Sequence, residues 1–299
     1  MLTIATRKSK LALIQSEMIK KALLHAGAEQ VELLPLLTTG DAEKNQELLA
    51  IGGKGLFTKE IEQALLKGEA QIAMHSLKDM PVTMPEGLML AGVLPRANPA
   101  DLLVSHPPLS SLDDLQEGAT IGTSSPRRAA QLLIKRPDLK IIPFRGNVPT
   151  RLKKVESGEV DATILAAAGL ERLGISPKHS LLLDTLPAIG QGIITLQCRE
   201  DDTITREWIE KINHQPSWQQ AQAERAVLRA VEGDCHTPLA AHAVLSNDEL
   251  SITAQILSAD GRTHHEATEI GRIADAEALG EACGQTLRPK AEELWQRYS

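Results

Sequence analysis

The sequence predicts an α/β protein with two strand–helix domains and a third, α+β domain built on three antiparallel strands. Short apolar runs alternate with stretches whose apolar residues recur at helical spacing, the signature of strand–helix–strand units. The pattern breaks at 95–99, between Pro95 and Pro99, and then starts again, so the α/β part reads as two units joined by a crossing. After Gly233 the spacing changes to alternation over 239–245, 250–257 and 263–270, with Asp260-Gly261 as a hairpin signal. A chain of 299 residues exceeds what one hydrophobic core usually organises, which fits this division.

Taken in order, residues 2–6 form the first strand. From Ser9 the apolar positions Leu11, Ile14, Met18 and Ala22 share a helix face as far as Gly27, and 31–37 is extended again. Arg7, Lys8 and Ser9 fall where a strand ends and a helix begins, where free N–H groups and the helix dipole favour an anion; a serine cap with two solvated cations has the same spelling. Residues 38–55 are polar and glycine-bearing, ending in Gly52-Gly53-Lys54-Gly55, and are expected to act as a mobile lid. They are not a Walker A loop, because Gly55 and Leu56 follow Lys54 where that motif needs a hydroxyl residue. Phe57, Ile61, Ala64 and Leu65 line the next helix, and 71–74 and 88–94 are strands.

The heptapeptide His75-Ser76-Leu77-Lys78-Asp79-Met80-Pro81 follows the 71–74 strand. Pro81 cannot continue a ladder, so Lys78 and Asp79 are placed on a loop at the strand's carboxyl end, the edge where open α/β sheets bind ligands. A solvated Lys–Asp pair in a turn is the competing reading.

In the second unit, 101–105 and 119–123 are strands, followed by Gly122-Thr123-Ser124-Ser125-Pro126-Arg127-Arg128. Ser125 caps a helix and Pro126 takes its first position, which places Arg127 and Arg128 in the first turn, where the dipole disfavours cations; an anionic ligand is expected to offset that cost. The strand 140–144 ends in a second cation-bearing turn with Arg145, Gly146 and Arg151. Between Ile121 and Lys154 nine Lys and Arg stand against one acid, Asp138, a local excess of +8 in a chain of net charge −7. Residues 160–166 form a buried strand followed by a small helix carrying Arg172, and Ile189-Gly190-Gln191-Gly192 opens a strand running to Cys198. Helices are expected over 203–213 and 221–231, separated by Pro216, and a last helix from Asp275 is expected to bury Leu279, Ala282, Cys283 and Leu287.

Composition narrows the function classes. With 42% hydrophobic but only 2% aromatic residues, the chain has little with which to stack nucleobases, and its net charge of −7 argues against a protein-wide polyanion surface. Nucleic acid is therefore not an expected partner. No apolar run approaches the roughly 18 residues of a membrane span, no metal-ligand spacing stands out, and three unpaired cysteines without a signal-like start predict a cytoplasmic protein. Cys198, in a strand, and Cys283, on an apolar helix face, read as inert core residues, whereas Cys235 lies in a loop, where packing and reactivity are both open.

Arg7-Lys8-Ser9, Gly52–Glu62 (GGKGLFTKEIE), His75–Pro81, Gly122–Arg128, Phe144–Leu152 (FRGNVPTRL) and Glu232–Ala240 (EGDCHTPLA), in this order across nearly the whole chain, resemble the porphobilinogen deaminase (hydroxymethylbilane synthase) family. The resemblance implies two domains of periplasmic-binding-protein type around a cleft, 1–95 with 194–214 and 96–193, and a third domain, 215–299. It implies a transferase that condenses four porphobilinogen molecules head to tail, releasing ammonia, and frees 1-hydroxymethylbilane, a linear tetrapyrrole of haem biosynthesis. A dipyrromethane cofactor, linked by a thioether to Cys235, serves as primer. The family's catalytic aspartate maps onto Asp79, beside Lys78. Carboxylate-binding cations map onto Arg7, Lys54, Lys78, Arg127, Arg128, Arg145, Arg151 and Arg172, with Ser9, Thr123, Ser124, Ser125, Gly146 and Gln191 assisting. A monomer is expected. The sequence departs from the pattern at Asp234 and His236, where Gly and often Gln flank the cysteine, at Ala50, where some members carry Lys, and at Lys10, which replaces a common Pro.

The residues suit this chemistry. Each pyrrole bears an acetate and a propionate, so the growing chain is a polycarboxylate that arginine forks bind two oxygens at a time. Loss of ammonia leaves a cationic azafulvenium, which a fixed carboxylate such as Asp79 stabilises while assisting proton transfer. An anion-binding module without catalysis is the alternative, and it gives Cys235 no task. A nucleic-acid binder using the +8 segment is a further rival, weakened by the scarcity of aromatics.

Overall fold

The structure, a computed structural model, describes residues 1–42, 57–233 and 237–296. The chain divides into two units, Met1–Arg96 with Ile193–Trp218, and Ala97–Gly192 with Gln219–Ser299.

The first unit opens with β1 (Leu2–Arg7), α1 (Lys10–His25), β2 (Val31–Leu36), α2 (Thr39–Ala42), α3 (Lys59–Leu66), β3 (Ile72–Ser76) and β4 (Leu88–Val93). The second contributes β5 (Asp101–Ser105), β6 (Thr120–Gly122), α4 (Pro126–Lys135), β7 (Lys140–Ile142), α5 (Val148–Glu156), β8 (Ala162–Ala166), α6 (Ala167–Leu173) and β9 (Ser180–Leu183). The chain then adds β10 (Ile194–Arg199) and α7 (Thr203–Ile212) to the first unit before α8 (Gln215–Ala230), β11 (Leu239–Ser246), β12 (Glu249–Leu257), β13 (His264–Arg272) and α9 (Ala276–Gln296).

The two five-stranded sheets share one plan. In the first the order is β2-β1-β3-β10-β4, with β2, β1 and β3 parallel and β10 antiparallel to both neighbours. In the second it is β7-β6-β8-β5-β9, with β7, β6 and β8 parallel and β5 antiparallel to both of its neighbours. Both sheets are buried on two faces, which is why their strands read as nearly continuous apolar runs. Ile4 packs with Ile19, Leu23, Ile72 and Leu196 on one side, while Ala5 meets Ile61, Leu65 and Leu88 on the other. Strand order reverses between β1 and β3, and again between β6 and β8, so the carboxyl ends of each pair lie side by side at a switch point.

Local chemistry sets the junctions. The Ser9 hydroxyl accepts from Ala12 N at 3.3 Å and starts α1, and Gly27, at φ +100°, ends the turn that follows it. Lys78 and Asp79 follow the carboxyl end of β3 as expected, and the connection there is ordered locally: Leu77–Asp79 is a single 3-10 turn, held by Met80 N to Leu77 O at 3.1 Å and by burial of Leu77. The expected strand 140–144 ends at Ile142, because Phe144 turns inward and its N–H bonds the Ser124 hydroxyl. Helix α8 begins at Gln215, not 221; Pro216, which lacks an N–H, starts it and does not separate it. The edge strand β9 was not expected, and Ala282 is exposed, whereas Cys283 and Leu287 are buried.

The third sheet, β11-β12-β13, is antiparallel throughout, with Leu250, Ile252, Ala254 and Ile256 buried at every second position of β12. Helix α9 packs on this sheet and crosses α8 so closely that a Cβ at Gly280 would lie 2.0 Å from the Ala223 carbonyl oxygen, and one at Gly284 2.5 Å from Ala230 Cβ. Within the same unit the buried Glu224 accepts from Gly190 N at 2.7 Å and from Ala243 N at 2.9 Å, tying the 190–192 segment to β11.

A chain of buried polar groups runs beneath the carboxyl end of β3. His75 Nε2 lies 2.9 Å from Gln197 Oε1, Gln197 Nε2 donates to Glu62 at 3.2 Å, and Thr58 donates to the other Glu62 oxygen at 3.2 Å. Burial disfavours a charged His75, and Arg7 adds to this against the opposing Gln197 bond, so its pKa is pushed down to about 4.

Two predictions follow from this packing. Gly280→Ala, which in an uncrowded helix gains up to about 1 kcal/mol, is expected here to cost about 1–3 kcal/mol in urea unfolding, because backbone must move; a gain would show that the crossing is loose. His75 in the unfolded chain takes up a proton near pH 6.5 that the folded chain refuses until about pH 4, so stability falls as pH falls through this window, by roughly 3 kcal/mol in all. His75→Gln, which keeps a donor toward Gln197 but does not titrate, is expected to flatten the melting midpoint between pH 7 and 4.5.

Candidate active site

The site residues of the first unit stand at the carboxyl ends of β1 and β3. Arg7 closes β1, with its guanidinium 4.2 Å from the Phe57 ring centroid, and Ser9 follows as the cap of α1. Lys78 and Asp79 close the turn after β3, where Lys78 is half-buried and Asp79 exposed. Gln15 Nε2 bonds the Ser76 hydroxyl at 3.4 Å, fixing α1 to the end of β3. The Asp79 carboxylate makes no hydrogen bond or ion pair with any described residue. Lys54 and all but the first residues of the expected lid, 38–55, lie outside the described residues.

The second unit gathers its residues at the carboxyl ends of β6, β7 and β8. After β6, Thr123 Oγ1 accepts from Ser125 N at 3.2 Å, Ser124 Oγ accepts from Phe144 N at 2.9 Å, and Ser125 caps α4. These hydroxyls spend lone pairs on the backbone, and each retains its O–H to donate. After β7, Gly146, at φ +123°, turns the chain so that its carbonyl accepts from Arg151 Nε at 2.9 Å. Arg151 has no acid partner among the described residues. Its partial desolvation, with Arg128 and Arg145 as cationic neighbours, pushes its pKa down to about 10. After β8, Arg172 Nη2 donates to Gly192 O at 2.7 Å, while its buried Nε has no acceptor among the described residues; desolvation lowers its pKa against the pull of Glu171.

Tertiary structure revises the charge reading of this segment. Arg127 and Arg128 do not wait in the first turn of α4 for an external anion: both reach Asp101, at 2.7 and 2.6 Å, with 1% of the Asp101 side chain exposed. Lys135 pairs with Asp184, Arg136 with Asp138 and Lys154 with Glu159. Five of the nine cations thus have acids, and Lys140, Arg145, Arg151 and Lys153 have none among the described residues. Gln191 Nε2 joins the same centre, 2.8 Å from Asp101 Oδ1 and 2.6 Å from Pro99 O. Asp101 escaped sequence reasoning because it opens an apolar strand; the available signal was an acid at a strand start in a unit otherwise so basic. His75, Gln197 and Glu62 were missed because a buried polar chain leaves no periodic trace.

Cys198 and Cys283 are buried, and burial pushes both thiols up to about 11, so neither is a ready nucleophile. Cys235 lies outside the described residues. Among the described residues no cluster of three or more His, Cys, Asp or Glu is placed to hold a metal ion, and no helix is long and apolar enough to cross a membrane.

Comparison with known proteins matches this arrangement to one family. Residues 2–207 match the family described as "Porphobilinogen deaminase, dipyromethane cofactor binding domain" and residues 218–289 match "Porphobilinogen deaminase, C-terminal domain". Relatives named porphobilinogen deaminase include those of Nitrobacter winogradskyi, 43% identical over 97% of this chain and 94% of that protein, and Geobacter sulfurreducens, 45% identical over 96% and 91%. That of Lysinibacillus sphaericus is 43% identical over 98% of this chain and 96% of its own length. Among solved structures, the VFT2 domain of Bordetella pertussis BvgS overlaps 71% of this chain and 85% of its own at 18% identity, with a TM-score of 0.43, too slight an overlap to bear on function. With both family domains matched in sequence order and identities above 40% along nearly its whole length, the chain belongs to the porphobilinogen deaminase family.

Proposed function

We propose that this chain condenses four porphobilinogen molecules head to tail, with loss of ammonia, on a dipyrromethane primer, and releases 1-hydroxymethylbilane by hydrolysis. The observation that carries the residue assignments is the cationic set around Arg151: a partly buried guanidinium with no acid partner among the described residues, pressed by Arg128 and Arg145. Such a cluster is stabilised by an anion with several carboxylates, and a pyrrole with its acetate and propionate supplies two. The primer, with four, fits the same residues, since Arg127, Arg128 and Arg172 each keep a buried Nε–H without an acceptor among the described residues. When bound, the primer supplies the terminal pyrrole to which each unit is added.

The protein's own groups divide the work. Arg128, Arg145, Arg151 and Arg172 bind carboxylates, aided by the hydroxyl donors of Thr123, Ser124 and Ser125 and by the turn at Gly146, while Arg127 and Gln191 reinforce Arg128 through Asp101. Arg7, Ser9, Lys54 and Lys78 do the same for the substrate. Asp79, exposed and bonded to none of the described residues, accepts pyrrole N–H groups, balances the cation that forms as ammonia departs, and moves protons. Cys235, in a third domain over 215–299, holds the primer by a thioether. The protein acts as a cytoplasmic monomer, without metal, membrane or nucleic acid. A solute-binding module that does no chemistry has no use for an unpaired Asp79.

Protein purified from cells is expected to be heavier than its sequence by one dipyrromethane, and Cys235→Ala to lose both this mass and turnover; an adduct that persists in the variant, or maps to Cys198 or Cys283, would place the attachment elsewhere. Asp79→Asn is expected to keep the fold and the primer mass while turnover falls on the order of a hundredfold or more, because an amide does not balance a developing cation. Steady-state assay of porphobilinogen consumption decides this, and near-normal rates remove Asp79 from the role.

A further inference from the structure

Asp101 opens β5 with almost no solvent exposure, and three side chains converge on its two oxygens. Arg127 Nη2 meets Oδ2 at 2.7 Å, while Arg128 Nη2 and Gln191 Nε2 meet Oδ1 at 2.6 and 2.8 Å. Each partner is also fixed a second time. Arg127 Nη1 donates to Leu186 O at 2.8 Å and Gln131 Oε1 at 2.9 Å, Arg128 Nη1 to Ile164 O at 2.9 Å, and Gln191 Nε2 to Pro99 O at 2.6 Å. Gln131 in turn donates to Leu186 O at 3.1 Å and to Gln255 Oε1 of β12 at 3.2 Å.

A carboxylate does not bind a carboxylate, and this one is closed from solvent, so Asp101 takes no direct part in holding a pyrrole acid. Its effect is on the arginines. Two guanidiniums side by side repel and swing apart unless an anion lies between them, and a ligand that must first gather them loses affinity to that ordering. Asp101 gathers them beforehand. Burial alone would raise its pKa, but the charges of Arg128 and Arg127 outweigh burial and hold the carboxyl well below the usual range, so it stays ionised wherever the fold persists.

We infer that Asp101 is a positioning residue of the carboxylate-binding site, holding Arg127, Arg128 and Gln191 in one geometry and leaving the arginine pair a single net positive charge. This rests on the reading of the site given above. Both arginines commit their terminal nitrogens to protein, and both keep a buried Nε–H without an acceptor among the described residues, so the pair is held as one frame with these two N–H groups left for a ligand.

The test uses the full-length protein, comparing wild type, Asp101→Asn and Gln131→Met by porphobilinogen kinetics, intact mass and thermal melting. An Asn at 101 offers one acceptor where two guanidiniums need two. Its KM is expected to rise about tenfold while turnover per primer-bearing molecule stays within about threefold, the worth of one charged hydrogen bond felt in binding. The fraction of molecules carrying the primer mass is expected to fall as well. A lower melting point with KM and primer occupancy unmoved means that Asp101 only stabilises the fold, and overturns the inference. Should Asp101→Asn fail to fold, Gln131→Met keeps every charge and removes a brace of Arg127 together with the bonds to Leu186 and Gln255, so a KM raised about threefold supports the same frame and an unchanged KM overturns it. A wild type that consumes no porphobilinogen overturns the reading of the site and the inference with it, whereas an active wild type with unmoved variants overturns the inference alone.

Discussion

A carboxylate with 1% of its side chain exposed stays ionised only where cations press against it, and two neighbouring guanidiniums stay ordered only where an anion separates them. Asp101, Arg127 and Arg128 meet both conditions together, and much of the second unit is arranged around that meeting. It lets the first turn of α4 carry two arginines against the helix dipole, fixes Gln191 at the crossing after β9, and, through Gln131 and Gln255, extends to the three-stranded sheet. Removing the Asp101 charge leaves two buried guanidiniums unmatched, at a cost of about 3–5 kcal/mol.

Both five-stranded sheets place chemistry at the same topological position. In a parallel sheet whose order reverses, the carboxyl ends of two adjacent strands open a space that no following helix covers. Arg7 and Asp79 occupy such ends on β1 and β3, and Thr123 and Arg172 follow β6 and β8. In each sheet the fourth strand runs antiparallel, β10 in the first and β5 in the second, so the chain segments that connect the two units also complete their sheets. Asp101 lies at the first residue of one of these strands and Gln197 within the other, which is why the polar networks of both sites are anchored there.

Two aspartates in this chain show environment assigning opposite tasks to one side chain. Asp101 is buried, held ionised by two arginines, and spent on them. Asp79, on a one-turn 3-10 helix, is exposed and makes no bond to any described residue, so its lone pairs remain for a ligand. Arg151 is the cationic counterpart of Asp79, pushed down to about 10 by desolvation and by Arg128 and Arg145, with no acid among the described residues to relieve it. Under the function proposed above, cations such as Arg151 hold the acid groups of a pyrrole, and a carboxylate such as Asp79 balances the positive charge that develops.

By itself the sequence determined what depends on neighbours along the chain. Helical and alternating periodicity placed the strands and helices, Ser9 and Ser125 marked helix starts, Pro95 and Pro99 bracketed the crossing, and six short motifs in order pointed to the family. Local spacing sufficed there because backbone hydrogen bonds and caps are made within a few residues. Tertiary structure alone decided which charges are free. The +8 segment looked uniformly available in one dimension, yet Asp101, Asp184 and Glu159 reach into it from outside or from its edge, and Lys140, Arg145, Arg151 and Lys153 are left without an acid among the described residues. The same holds for His75, whose neutrality comes from burial and from the charge of Arg7, against the opposing bond to Gln197, more than a hundred residues away. A charge acts through space and not along the chain, so partners 26 and 27 residues apart, such as Asp101 with Arg127 and Arg128, become neighbours only when the sheet that joins β5 to β8 has formed.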